Sequence, residues 1–161
     1  MKKKFDINEA CEYIASTSDE TKIYVGTDSE RHKYKGVWYA DYMTAIVVHI
    51  DGCKGCRLFG TILTERDFDS RIDRPKLRLM REVMLSAQMY IDIADAIGNR
   101  HAEIHMDING SKMFGSSCIV DEAIGYVRGM TNIIPMIKPD AHAASYGADR
   151  LKEILGERKM I

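Results

Sequence analysis

Apolar and polar positions alternate in two different rhythms along the chain, and the changes of rhythm mark out its elements. Ile7, Ala10, Cys11 and Ile14 recur at helical spacing, so residues 6–17 read as a short opening helix. "KIYVGTD" (22–28) reads as a first strand that runs apolar and stops on an aspartate. "VWYADYMTAIVVHI" (37–50) and "CRLFGTILT" (56–64) are rich in β-branched and aromatic residues and predict an antiparallel hairpin. Leu79, Val83, Ala87, Tyr90, Ala94 and Ile97 then form one apolar stripe at steps of three and four. That stripe predicts a long helix over about 75–97, opened by Pro75 and closed by Gly98. "AEIHMDIN" (102–109) alternates strictly, with Ile104, Met106 and Ile108 on one face and Glu103, His105 and Asp107 on the other. A helix at about 117–129 follows, then a strand at 132–138. Pro135 within it cannot donate to a ladder and so places that strand at a sheet edge. A last helix is predicted over about 140–155.

The order is three strands, helix, strand, helix, strand, helix. Short connections let the first three strands run antiparallel, while the later crossovers suit a fourth and fifth strand parallel to the first. The predicted fold class is α/β, a five-stranded mixed sheet flanked by helices. No repeat, linker or low-complexity tract divides the 161 residues, so one domain over 1–161 is expected, with residues 1–18 as an appended N-terminal helix.

Composition narrows the classes of function. Hydrophobic residues make up 45 % and charged ones 29 %, as in ordinary globular chains. No apolar run reaches the ~20 residues of a membrane span. The lysines of "MKKKFDINEA" precede no apolar segment, so no signal peptide is read, and a cytoplasmic location without membrane contact is the expectation. Cys11, Cys53, Cys56 and Cys118 are scattered. "CKGC" at 53–56 lacks the partner ligands of a structural zinc site and reads as the turn between two strands. A net charge of −1 argues against a tight nonspecific nucleic-acid binder. It leaves room for a local basic rim, for which Arg66, Arg71, Arg74, Lys76, Arg78 and Arg81 are candidates. Asp67, Asp69 and Asp73 are interleaved with them, so a solvated charged surface is an equal reading.

The chemistry lies in the acids. Asp28 and Asp107 each sit at the end of an apolar strand. If those strands are parallel neighbours, the two carboxylates converge where ligands bind in open α/β sheets. Close carboxylates repel one another, and a divalent cation bound by oxygen ligands relieves that cost. Taken singly, each Asp could equally start a turn. Glu82, in "MREVM", is either the polar edge of its helix stripe or a third ligand. Asp140 either caps the last helix or binds, and Asp149 either pairs with Lys152 or binds. Residues nine apart lie on opposite sides of a regular helix, so Asp140 and Asp149 cannot both reach one ion. Gly26 shares the face of Asp28 and leaves space beside it.

These residues carry a resemblance. The element order is similar to that of the ribonuclease H fold. "MREVMLSA" resembles its Glu-bearing helix, and "ADRL" resembles the Ala-Asp-x-Leu of its last helix. More closely, "YVGTDS", "IHMDIN", "EAIGYVRGM" and "IKPDAHAASYGADR" together resemble the YkuK-type family of ribonuclease H-like proteins over about residues 20–155. The resemblance implies a nuclease that hydrolyses phosphodiester bonds with two Mg²⁺ or Mn²⁺ ions. Asp28 and Asp107 would be central ligands, Glu82 a third, and Asp149, with Asp140 as its rival, would complete the set. The implied substrate is RNA or an RNA–DNA hybrid, with DNA also open. The basic handle and His-containing loop of ordinary bacterial ribonuclease H are not recognisable, and His142 is open between a packed residue and a proton carrier. The alternative is a ribonuclease H-like module that binds nucleic acid or protein without cleaving. "GTDS" also faintly resembles the first phosphate loop of actin-like ATPases, but 161 residues supply one lobe where those enzymes use two.

Overall fold

The computed structural model describes residues 5–52, 54–69, 76–109 and 119–138. Helix α1 (Ile7–Ser16) leads into strands β1 (Lys22–Tyr34), β2 (Val37–His49) and β3 (Cys56–Arg66). Helix α2 (Lys76–Ile97), strand β4 (His101–Asn109), helix α3 (Val120–Thr131) and strand β5 (Met136–Lys138) follow. The sheet order is β3-β2-β1-β4-β5. β1 pairs antiparallel with β2, and β2 antiparallel with β3; β4 runs parallel to β1, and β5 parallel to β4. This is the mixed α/β sheet expected from the sequence, with β5 at its edge. The predicted helix over 140–155, with Asp140, His142 and Asp149, lies outside the described residues.

Local chemistry accounts for the element ends. The side chain of Asp6 accepts from the backbone N–H of Asn8 at 2.9 Å and caps α1. Gly98, at φ 55°, ends α2. Asn132, at φ 59°, ends α3 and returns its N–H to the Arg128 carbonyl at 2.9 Å. That cap explains why the last strand starts at Met136 and not near 132. Pairing of His49 with Cys56 makes residues 50–55 the connection between β2 and β3, where a turn was expected; Cys53 lies outside the described residues.

β1 differs most from expectation. It runs to Tyr34, six residues beyond Asp28, so Asp28 lies within the strand and does not close it. Residues 29–34 are polar and carry no apolar alternation, so burial gives no sign of a strand there. Cross-strand pairing from Ser29↔Tyr42 to Tyr34↔Val37 holds them instead. Lys35 and Gly36, at φ 48° and 79°, form the two-residue turn whose twist suits a hairpin. β4 likewise continues two residues past Asp107, to Asn109.

α2 lies across one face of the sheet. Its C-terminal half, with Met89, Ile93 and Ile97, packs on Ile23, Val25, Ile46 and Val48, and Ala10 and Ile14 of α1 join that cluster. Its N-terminal half places Leu79 and Val83 against Ile104, Met106 and Ile108 of β4 and the inner face of α3. The alternation of β4 is therefore as expected on this face. On the other face His105 is 1 % exposed, with its Nε2 3.2 Å from Glu103 Oε2 and its ring packed on Tyr24.

A carboxylate site at the ends of two parallel strands

β1 and β4 pair in register from Lys22↔His101 to Thr27↔Met106. Asp28 and Asp107 are the next residue on each strand, just past the last paired position. Thr27 and Ser29 use their hydroxyls on α2, and Met106 and Ile108 belong to the core beneath it. Asp28 and Asp107 alternate with these residues and so stand outside the packed rows, and Asp107 lines the same crevice as Glu82. Asp28 Oδ1 accepts from the Ser29 N–H at 2.8 Å, which orients its carboxylate.

Glu82 comes from α2. It is 5 % exposed and lies in the middle of the buried face of the helix, not on its polar edge. The Ser29 hydroxyl donates to its Oε1. One turn further along α2, the Ser86 and Thr27 hydroxyls are 2.7 Å apart, and Thr27 lies 3.0 Å from the Thr44 hydroxyl. Burial pushes the Glu82 carboxyl well above its ordinary value. The Ser29 bond opposes this, the Asp28 and Asp107 charges add to it, and Arg78 again opposes it. Acids from β1 and β4 thus bear on the α2 carboxyl electrostatically. A narrow crevice lined by Thr27, Glu82, Ser86 and Asp107 connects the helix side to β4.

Sequence reasoning missed Ser29 as the partner of Glu82, although period-2 alternation around Asp28 puts Ser29 on the α2 face. It also missed Tyr42, which stands between Glu82 and a group of charged residues. Burial keeps the Tyr42 hydroxyl protonated, with the charges of Glu65, Asp67 and Glu82 acting in the same direction and Arg78 against. The suspected basic rim is largely matched by acids. Asp67 accepts from Arg31 and lies 3.5 Å from Arg78, and Arg81 grips Glu65 through two nitrogens at 2.6 and 3.0 Å. Lys76 meets Glu122 at 3.0 Å. Asp69 instead serves the backbone, its two oxygens accepting from the N–H groups of Leu77 and Arg78 at 2.9 and 2.8 Å and so capping α2. Arg71, Asp73 and Arg74 lie outside the described residues.

Among the described residues, no three His, Cys, Asp or Glu side chains are grouped closely enough to hold an ion as they stand. The donor set nonetheless suits a hard cation, because Asp28, Glu82 and Asp107 offer only carboxylate oxygens and their mutual repulsion is what a divalent charge relieves. Among the described residues no helix is long and apolar enough to cross a membrane.

A mixed sheet in this strand order, flanked by helices, defines an α/β fold class. The family model described as ribonuclease H-like matches residues 7–153. The chain belongs to the ribonuclease H-like family, in agreement with the YkuK-type resemblance of its motifs. No curated protein and no solved structure gives a significant match.

Proposed function

We propose that this protein is a metal-dependent nuclease that hydrolyses phosphodiester bonds of RNA or an RNA–DNA hybrid. The observation that supports this reading is that Asp28 and Asp107 follow the same last register pair of β1 and β4, with the Glu82 carboxyl feeling both charges. Asp28, Asp107 and Glu82 would hold Mg²⁺ or Mn²⁺, with Asp149 or Asp140 as the fourth acid. Bound there, the ions would supply charge to the scissile phosphate and acidify a water molecule. The chain's own residues do the positioning. The Ser29 N–H fixes the rotation of Asp28, and the Ser29 hydroxyl holds Glu82 until a cation competes for it. Arg78 supplies a positive charge on the helix side of the same acids.

The test is cleavage of labelled RNA, DNA and hybrid with Mg²⁺ or Mn²⁺, comparing wild type with Asp28→Asn. Loss of Asp28 is expected to lower the rate by more than the ~100-fold typical of losing an outer-sphere partner. The Ser29–Glu82 bond, which occupies one of the three acids, favours a second reading as a non-cleaving binding module. Equal behaviour of wild type and Asp28→Asn on every substrate would overturn the nuclease reading.

A further inference from the structure

Beyond Tyr42, on the α2 side of the sheet, the molecule opens into a cleft of about 450 Å³. Its walls include Arg66, Phe68, Leu77, Arg78 and Arg81. It adjoins the carboxylate site: Tyr42 lines the cleft and pairs across β1 and β2 with Ser29, which holds Glu82, and Arg78 of the cleft lies one turn of α2 before Glu82.

Two properties of the cleft define what it would accept. The first is charge. Arg66, Arg78 and Arg81 bring three guanidinium groups, against the two carboxylates of Glu65 and Asp67 in the same lining. Asp67 is shared by Arg31 and Arg78, and Arg81 is held by Glu65, whereas Arg66 has no ion pair among the described residues and is the guanidinium most open to an incoming phosphate. The N–H groups of Leu77 and Arg78 at the α2 terminus are already taken by Asp69, so the guanidinium groups, not the helix end, are the anion-binding element. The second property is exposed apolar surface. Phe68 is 69 % exposed and Leu77 59 %, in contrast to the buried aliphatic residues of the core. Arg66 covers one side of the Phe68 ring, with its guanidinium carbon 5.1 Å from the centroid, and this fixes the ring as a platform.

Guanidinium groups for phosphates beside an exposed aromatic face are the combination that holds unpaired nucleotides. A base inside a duplex already has both faces stacked and cannot use such a platform, whereas single strands offer theirs. We propose that this cleft binds a single-stranded segment of nucleic acid, stacking an unpaired base on Phe68 and pairing its phosphates with Arg66, Arg78 and Arg81. As a route to the neighbouring acids it rests on the nuclease reading, and it narrows the substrate to single strands or to single-stranded ends of structured RNA or DNA.

The experiment measures binding without metal, so that cleavage cannot interfere. A labelled single strand of about 12 nucleotides, free of self-pairing, is titrated in EDTA and followed by fluorescence anisotropy. The comparisons are a hybrid duplex of the same length and a poly-glutamate peptide. Wild type is expected to bind the single strand at least about fivefold more tightly than either. Phe68→Ala should weaken it about tenfold, and Arg66→Ala should weaken it and flatten the salt dependence by about 0.7 in slope. Both side chains are exposed, and unchanged melting temperatures would show that both variants fold. Equal binding of the duplex or the peptide, or wild-type affinity in Phe68→Ala, would overturn the proposal. Absence of cleavage with binding intact rejects the nuclease reading and leaves the cleft. Cleavage without this binding pattern does the reverse.

Discussion

The contact between β1 and α2 is built in two different ways along its length. At one end Ile23 and Val25 meet Ile93 and Ile97, all nearly inaccessible to water. At the other end the same face of the same strand presents Thr27 and Ser29, and the same helix answers with Ser86 and Glu82. The positions are equivalent in geometry and opposite in chemistry. Apolar packing of the first kind would have been available throughout. A chain of hydroxyls ending in a buried carboxyl gives up part of that stabilisation, and it does so beside Asp28 and Asp107. The apolar end carries stability, and the polar end holds the residues of the proposed site.

That contrast can be broken from either side. The largest loss of stability is expected at the apolar end: Ile93→Ala removes a fully buried side chain and should cost about 2–5 kcal/mol in denaturant unfolding. Glu82→Gln should do the opposite. A carboxyl whose pKa is raised by folding weakens the fold as pH climbs from its ordinary 4.5 toward the raised value, and it has no such effect below 4.5. Gln keeps an acceptor for Ser29 and cannot ionise. The variant should therefore melt higher than wild type at neutral pH and the same at pH 4, while losing cleavage. An equal melting difference at both pH values would show that charge is not the cause. Ser86→Ala should have the smallest effect, about 1 kcal/mol or less, because Thr27 retains Thr44 as a partner. A loss as large as that of Ile93→Ala would erase the distinction between the two ends.

Much of this architecture was legible in the sequence. The helix stripe from Leu79 to Ile97 and the alternation of Ile104, Met106 and Ile108 follow from burial, which leaves a periodic trace. The parallel placement of β1 and β4 followed from the crossover helix, and with it the neighbouring positions of Asp28 and Asp107. The second half of β1 was not legible, because residues 29–34 are held by cross-strand pairing and a Lys35–Gly36 turn, neither of which leaves an apolar pattern. The position of Glu82 was ambiguous for a similar reason. A single acid on an apolar helix looks the same in sequence whether it rims the stripe or sits in its middle, and only the Ser29 hydroxyl across from it decides. Asp69 shows the same limit, since it caps α2 across a gap in sequence that no local capping pattern reveals.

The nuclease reading stands or falls with a divalent cation held by Asp28 and Asp107 together. A crystal soaked in Mn²⁺ and examined by anomalous scattering looks for that ion without any assumption about substrate. The expected result is an ion between the Asp28 and Asp107 carboxylates, with Glu82 turned toward it and a further acid from Asp140 or Asp149 in contact. A well-ordered site with no anomalous density between Asp28 and Asp107 at saturating Mn²⁺ would refute it.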